Sequence, residues 1–298
     1  MVCAVALVIH LIPLFLPRNV PEQELAIARA IPESASRVPV LKPLKTNKKA
    51  TGAELREAAE LLREGAPLEA YELAKEAERR EPGSVETQLV LARVCHGQRM
   101  TRCEEEAFTK AEKLAPGDAR AWLLRADLRE RQGDIGGALE AVQRAYEREP
   151  GRAGVGVRYG RLLSAVGRGD EAVAVLKRLE GVLGRGRMLV EEGLVRVAQG
   201  RMEEARELFG RAVEAEPKLV LGHYHLGMAA FQVGDVRGAE EALREADRLD
   251  MSDMRALSAL CEVQRRTGQR DAMLATRMDL ERRFPERMEA VRTACRSD

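Results

Sequence analysis

Aromatic residues make up only 3% of the 298-residue chain. That scarcity leaves few ring faces on which single-stranded bases could stack. Neither charge is in excess: 49 Lys and Arg against 48 Asp and Glu give a net +1. The electrostatic footprint of a nucleic-acid binder is therefore missing. No glycine-rich phosphate loop and no nucleophile elbow occurs, which removes two common signatures of enzymes. The five cysteines show no C-x2-C spacing, which argues against a zinc site. Acidic pairs such as Glu203/Glu204 and Glu240/Glu241 lie on expected solvent faces, without the cleft that acid–base chemistry needs. His223 and His225 are two residues apart, so on a helix they point to different faces and cannot share a metal. No enzyme, cofactor or metal centre is read from this chain.

What the chain has is repetition. Residues 186–217 and 220–251 are two units of one design. Aligned at 34 residues, they share Gly193/Gly227, Gly200/Gly234, Ala205/Ala239 and Ala212/Ala246. A fixed period of this size signals a stacked array. Each unit predicts two helices. Tyr224, Met228 and Phe231 have helical spacing, then Gly234 and Asp235 interrupt, with Asp235 placed to cap the next helix. Ala239, Leu243 and Ala246 form one stripe of the second helix. The link is short, so the helices run antiparallel. Gly227 and Ala239 are expected where the two backbones come closest, and a larger side chain there would overpack the contact by roughly 1–3 kcal/mol.

The frame extends over residues 51–287 as seven units, starting at positions 51, 85, 119, 153, 186, 220 and 254. Numbering each unit from 1, slot 8 is small, slot 15 a turn residue, slots 20 and 27 small, slot 24 bulky and slot 32 proline. The unit at Thr51 has Ala58, Gly65, Ala70, Ala74, Ala77 and Pro82; the unit at Ala119 has Trp122, Ala126, Gly133, Ala138, Val142, Ala145 and Pro150. A composition 45% hydrophobic and 33% charged fits a helical array.

This pattern, W-x2-L-G-x2-Y, then A-x3-F-x2-A, then P, resembles the tetratricopeptide repeat family. The resemblance implies an all-α fold: a right-handed superhelical solenoid of seven helix-turn-helix units with a C-terminal capping helix over residues 288–298. It also implies a non-catalytic interaction scaffold. Some residues depart from the pattern. Arg125 and Arg129 replace apolar residues in the third unit; Glu104 replaces the small residue of slot 20, where a capping box with Thr101 would explain it. In the seventh unit Ala272 and Met273 suggest a rotated or shifted second helix.

Residues 1–17 form an uncharged apolar run broken by His10 and Pro13. They read as a membrane anchor or a signal-like segment, although a full span needs about 17–25 residues. The opposing readings are a buried apolar segment or a mis-set start. Arg18 on the C-terminal flank would keep the repeats cytoplasmic, tethered to a bacterial inner membrane; a soluble cytoplasmic adaptor and an exported factor with a cleaved N-terminus are the alternatives. Residues 18–50, with Pro21, Pro32, Pro39, Pro43 and a cluster of Lys42, Lys45, Lys48 and Lys49, read as an extended linker. A short helix over residues 22–31 is compatible with it. Cys95, Cys261 and Cys295 occupy buried slots as small apolar residues, and a Cys95–Cys103 disulfide is conceivable in an exported chain.

Slots 5, 9, 12 and 13 of each first helix share one face, which the resemblance, together with slot 2, assigns to the concave side. The candidate groove comprises Val190, Leu194 and Val197 of the fifth unit and Leu221, Tyr224, Met228 and Phe231 of the sixth. Arg161 and Arg187 flank it on one side, Arg255, Arg265 and Arg266 on the other. Apolar residues in slots expected to be wet suggest a binding patch. The expected ligand is a peptide segment of another protein with apolar anchors and acidic flanks. Leu55 and Ala59 replace the clamp by which some family members grip chaperone tails.

Overall fold

The computed structural model describes residues 20–295. They form two compact units that divide between Arg148 and Glu149. No strand occurs among the described residues, and the fold is all-α. Unit 1 opens with α1 (Pro21–Ala30) and the single turn α2 (Val38–Leu41). Three antiparallel hairpins follow: α3 (Gly52–Leu62) with α4 (Pro67–Arg80), α5 (Val85–Gly97) with α6 (Thr101–Leu114), and α7 (Ala119–Arg131) with α8 (Ile135–Arg148). Unit 2 has four: α9 (Ala153–Ala165) with α10 (Gly169–Arg178), α12 (Arg185–Ala198) with α13 (Met202–Ala215), α14 (Val220–Gln232) with α15 (Val236–Leu249), and α16 (Arg255–Arg266) with α17 (Arg270–Arg283). The short α11 (Glu180–Leu183) precedes α12, and α18 (Met288–Ala294) closes the unit.

The hairpins follow from local chemistry. Slot 15 is left-handed backbone at Gly133, Gly167, Gly200, Gly234 and Gly268, with φ of 73–87°, a conformation glycine reaches without a Cβ clash. Asp235 caps α15 by accepting from the Gly238 amide at 2.9 Å. Between α14 and α15 the backbones meet at Gly227, where a Cβ would lie 2.7 Å from Leu243 Cγ and 3.0 Å from the Ala239 carbonyl oxygen. Ala239, Leu243 and Ala246 are all buried beside it.

Residues 20–50 are not extended. Of the prolines that suggested a linker, Pro21, Pro39 and Pro43 sit in the first turns of short helices, where a missing amide costs little, and Pro32 lies in the bend after α1. Leu25, Ala28, Leu41 and Leu44 are buried in one core with Leu55, Leu62 and Leu73. Ser34 Oγ donates to the Leu61 carbonyl at 2.7 Å, and the Arg37 guanidinium donates to Ile31 and Leu61 carbonyls at 2.9 Å. Arg80 donates to the carbonyls of Asn47 at 3.0 Å and Lys45 at 3.2 Å, and to that of Ala50. The segment therefore covers the first hairpin as a fourth, irregular layer.

Two local expectations are corrected. Glu104 makes no capping box: Thr101 is already the first residue of α6, so its side chain is past the capping position. Instead Glu104, 1% exposed, accepts from His96 Nδ1 at 2.9 Å and pairs with Arg131. In the seventh hairpin α17 keeps its register. Met273 and Leu280 stay buried in the small slots, and the buried Thr276 donates to Gln264 Oε1 at 2.8 Å. Arg125 stands over the Phe108 ring at 4.6 Å and the Trp122 ring at 5.8 Å, which explains an arginine in an apolar slot.

The cysteines are more than small core residues. Cys95 is bonded to Cys103 across the α5–α6 turn, and Cys261 in α16 to Cys295 just after α18. Residues 1–17, with the expected membrane segment, lie outside the described residues. Among the described residues no helix is long and apolar enough to cross a membrane.

Candidate functional site

The expected groove residues all belong to unit 2, on the first helices α9, α12, α14 and α16. The structure does not treat them alike. Val190 is 3% exposed, in a core with Met188, Leu189 and Phe209, and offers no surface to a ligand. It is corrected to a core residue, buried among residues of α12, α13 and α14. Leu194 and Val197 are half-buried at the edge of the same core. Leu221, Tyr224, Met228 and Phe231 are half-buried along α14, with Tyr224 and Phe231 resting on the core of the α14–α17 hairpins.

A polar line crosses these first helices. Arg161 Nη2 and Nε meet Glu191 at 2.6 and 3.0 Å. His225 stacks on Phe209 with ring centroids 5.4 Å apart, and Tyr224 meets His225 edge-on at 5.1 Å. Burial lowers the His225 pKa; Glu191 opposes that, while Arg255 and Arg161 reinforce it. His225 is therefore a neutral imidazole near pH ~7. His223, two residues away, uses Nε2 on the Pro217 carbonyl at 2.9 Å, so the two histidines do not converge.

The arginines are largely engaged within the chain. Arg255 lies over the Tyr224 ring at 6.0 Å and bonds Asp253 Oδ2 through Nε at 2.6 Å. Its hydrogen bonds hold the Asp253 carboxyl below its ordinary range, against burial. Arg265 and Arg266 share Glu262 at 2.9 and 2.6 Å, and Arg266 also covers the Phe231 ring at 6.0 Å. Arg187 is exposed and has no ion pair among the described residues.

One part of this face opens into a cleft of about 870 Å³. Tyr224 and Met228 of α14 and Met254, Arg255 and Ser258 line one side, and α18 supplies the other through Glu289, Ala290, Thr293 and Ala294. The Ser258 hydroxyl is shut away from solvent and has no hydrogen-bond partner. Ser258 was not among the candidate groove residues, although it occupies slot 5, the position used to pick Val190 and Tyr224, and α18 was expected as a capping helix, not as a wall of the groove. A hollow of about 640 Å³ in unit 1 is walled by α6 alone, with Arg102, Glu105, Glu106 and Lys110; lacking a second wall, it cannot enclose a ligand. Among the described residues no group of three or more side chains could hold a metal ion.

Two protein-family models match, both described as tetratricopeptide repeat, over residues 190–253 and 129–181. The chain is a tetratricopeptide repeat protein. Among solved structures, a tetratricopeptide repeat protein from Parabacteroides merdae is similar at 15% identity and a TM-score of 0.61, covering 82% of this chain and 97% of that one. Yeast Tom70 is similar at 15% identity and a TM-score of 0.60, over 94% of this chain and 64% of that one. PilW, described as a widely conserved type IV pilus biogenesis factor, is similar at 19% identity and 0.53, over 70% and 97%. No curated protein matches in sequence. At these identities the likeness concerns the fold. Tetratricopeptide repeat proteins are generally non-catalytic scaffolds for protein–protein interaction.

Proposed function

We propose that this tetratricopeptide repeat protein holds a segment of a partner protein in the cleft between α14, α16 and α18. The supporting observation is that Tyr224 and Met228 remain half-buried there, side by side on one helix, with space before them. Apolar side chains of the partner are the anchors, and Met228 and Met254 are flexible enough to fit more than one shape. An acidic flank on the partner finds Arg187 available, whereas Arg161 and Arg255 already face Glu191 and Asp253. The charge on the rim therefore tunes orientation more than affinity. The chain acts without catalysis.

The array is tethered through residues 1–17, whose apolar composition supports membrane association, and works in the assembly of an envelope complex. Membrane fractionation of the full chain separates this from a soluble cytoplasmic adaptor, and N-terminal sequencing of the mature protein from an exported form. The cleft is tested with a peptide selected from a random library on the parent chain. Tyr224→Ala with Met228→Ala is expected to weaken its binding by about tenfold or more, with the unfolding transition still cooperative. Full binding by a folded double variant overturns the cleft.

A further inference from the structure

Helix α18 has seven residues, too few to be stable alone in water. Its apolar attachment is small: Val291 and Cys295 are buried, and Ala294 only partly. Yet this helix forms one side of the cleft. Ser258, on the other side of the same cleft, has a buried hydroxyl without a partner. Weak apolar attachment favours opening. What opposes it is covalent. Cys295, the residue after α18, is bonded to Cys261 in the middle of α16, with both side chains fully buried.

We propose that the Cys261–Cys295 disulfide is a redox latch on the binding cleft. It rests on the cleft reading given above. In the oxidised chain α18 is held against α16 and the cleft has both sides; in the reduced chain α18 is free and the partner loses one side of its seat. Closing removes two electrons and two protons from the two thiols and delivers them to a disulfide oxidant. The Cys261 thiolate attacks that disulfide, and Cys295 then displaces the oxidant's second sulfur from the mixed disulfide. Opening is the reverse exchange with a dithiol, which leaves as a disulfide while its two protons end on Cys261 and Cys295. Such a bond persists in an oxidising compartment. The partner-holding form therefore works on the oxidising side of a membrane, against the orientation that Arg18 alone suggests. The Cys95–Cys103 bond lies in unit 1, within the α5–α6 hairpin, and its Cys103 is only half-buried. It supplies the internal control.

The test is hydrogen exchange followed by mass spectrometry on the full chain, oxidised or reduced with a phosphine, with bond cleavage verified by the mass of the linked peptides. On reduction residues 285–295 are expected to exchange about tenfold faster or more, while residues 186–250 stay unchanged. Cys261→Ala with Cys295→Ala should behave like the reduced parent; Cys95→Ala with Cys103→Ala should behave like the oxidised one. Should the first pair fail to fold, the chemically reduced parent gives the same comparison. Equal protection of residues 285–295 with the bond cut overturns the latch. So does undiminished binding of the selected peptide to a chain whose α18 is released. The cleft itself falls on a separate result, full binding by the folded Tyr224→Ala, Met228→Ala variant.

Discussion

Unit 1 and unit 2 are built from the same hairpin and use charge differently. Unit 1 brings carboxylates between its helices. Glu104 joins α5, α6 and α7 through His96 and Arg131. Burial works against the ionisation of Glu78, but hydrogen bonds from Lys110, Lys75 and Gln88 outweigh it and bring its pKa down to about 2. Arg56 pairs with Glu81 and donates to Thr87 at 3.0 Å, joining α3 to α5. The first hairpin is further covered by residues 20–50. Unit 2 also pairs charges across helices, as in Arg161–Glu191 and Arg283–Asp247, but the row that carries Tyr224 and Met228 on its first helices is apolar, and the arginines at its edge are met by Glu191, Asp253 and Glu262. A repeat whose polar groups are paired across helices is locked but closed to partners. One that leaves Tyr224 and Met228 half-buried keeps a surface in reserve.

The largest effect expected is in the locked unit. Glu104→Ala removes a buried carboxylate together with its bonds to His96 and to the solvent-exposed Arg131, at about 3 kcal/mol for the two charge-assisted hydrogen bonds; chemical denaturation checks it, and a loss under about 1 kcal/mol would mean that unit 1 is not held by its ionic hubs. Next comes the packing of the open unit. Gly227→Val drives a side chain into Leu243 and the Ala239 carbonyl, for about 2 kcal/mol. An unchanged thermal midpoint would overturn the close approach of α14 and α15. Ser258→Ala should raise stability by up to about 1 kcal/mol, because it deletes a hydroxyl with no partner; a loss would show that the hydroxyl is satisfied in solution.

The smallest effect is a pH dependence. Burial lowers the folded pKa of His225 from its ordinary 6.5. As pH falls below that value the unfolded chain takes up the proton first, so stability present near pH ~7 declines toward pH ~5. His225→Gln should flatten that part of the stability–pH curve. Identical curves for the two chains would remove His225 from the list of buried groups.

The sequence alone determined the period, the hairpin and its closest contact. These are properties of spacing: apolar and small residues at 34-residue recurrence set which helix faces meet, and Gly227 opposite Ala239 needs no further information. Spacing also picked the face that carries Tyr224 and Met228. It did not decide which members of that face remain open, because exposure depends on neighbours that are not periodic. Val190 and Tyr224 hold equivalent slots, yet one is core and the other half-open. The arginines looked like a basic rim until Glu191 and Asp253, outside the chosen slots, were found against them. Leu25, Leu41 and Leu44 among prolines looked like a linker until a hairpin lay beneath them. Cys261 and Cys295 stand one period apart in the same slot, which by spacing means only small and buried. Stacking consecutive repeats puts equal slots side by side, and that proximity turned two core residues into one bond.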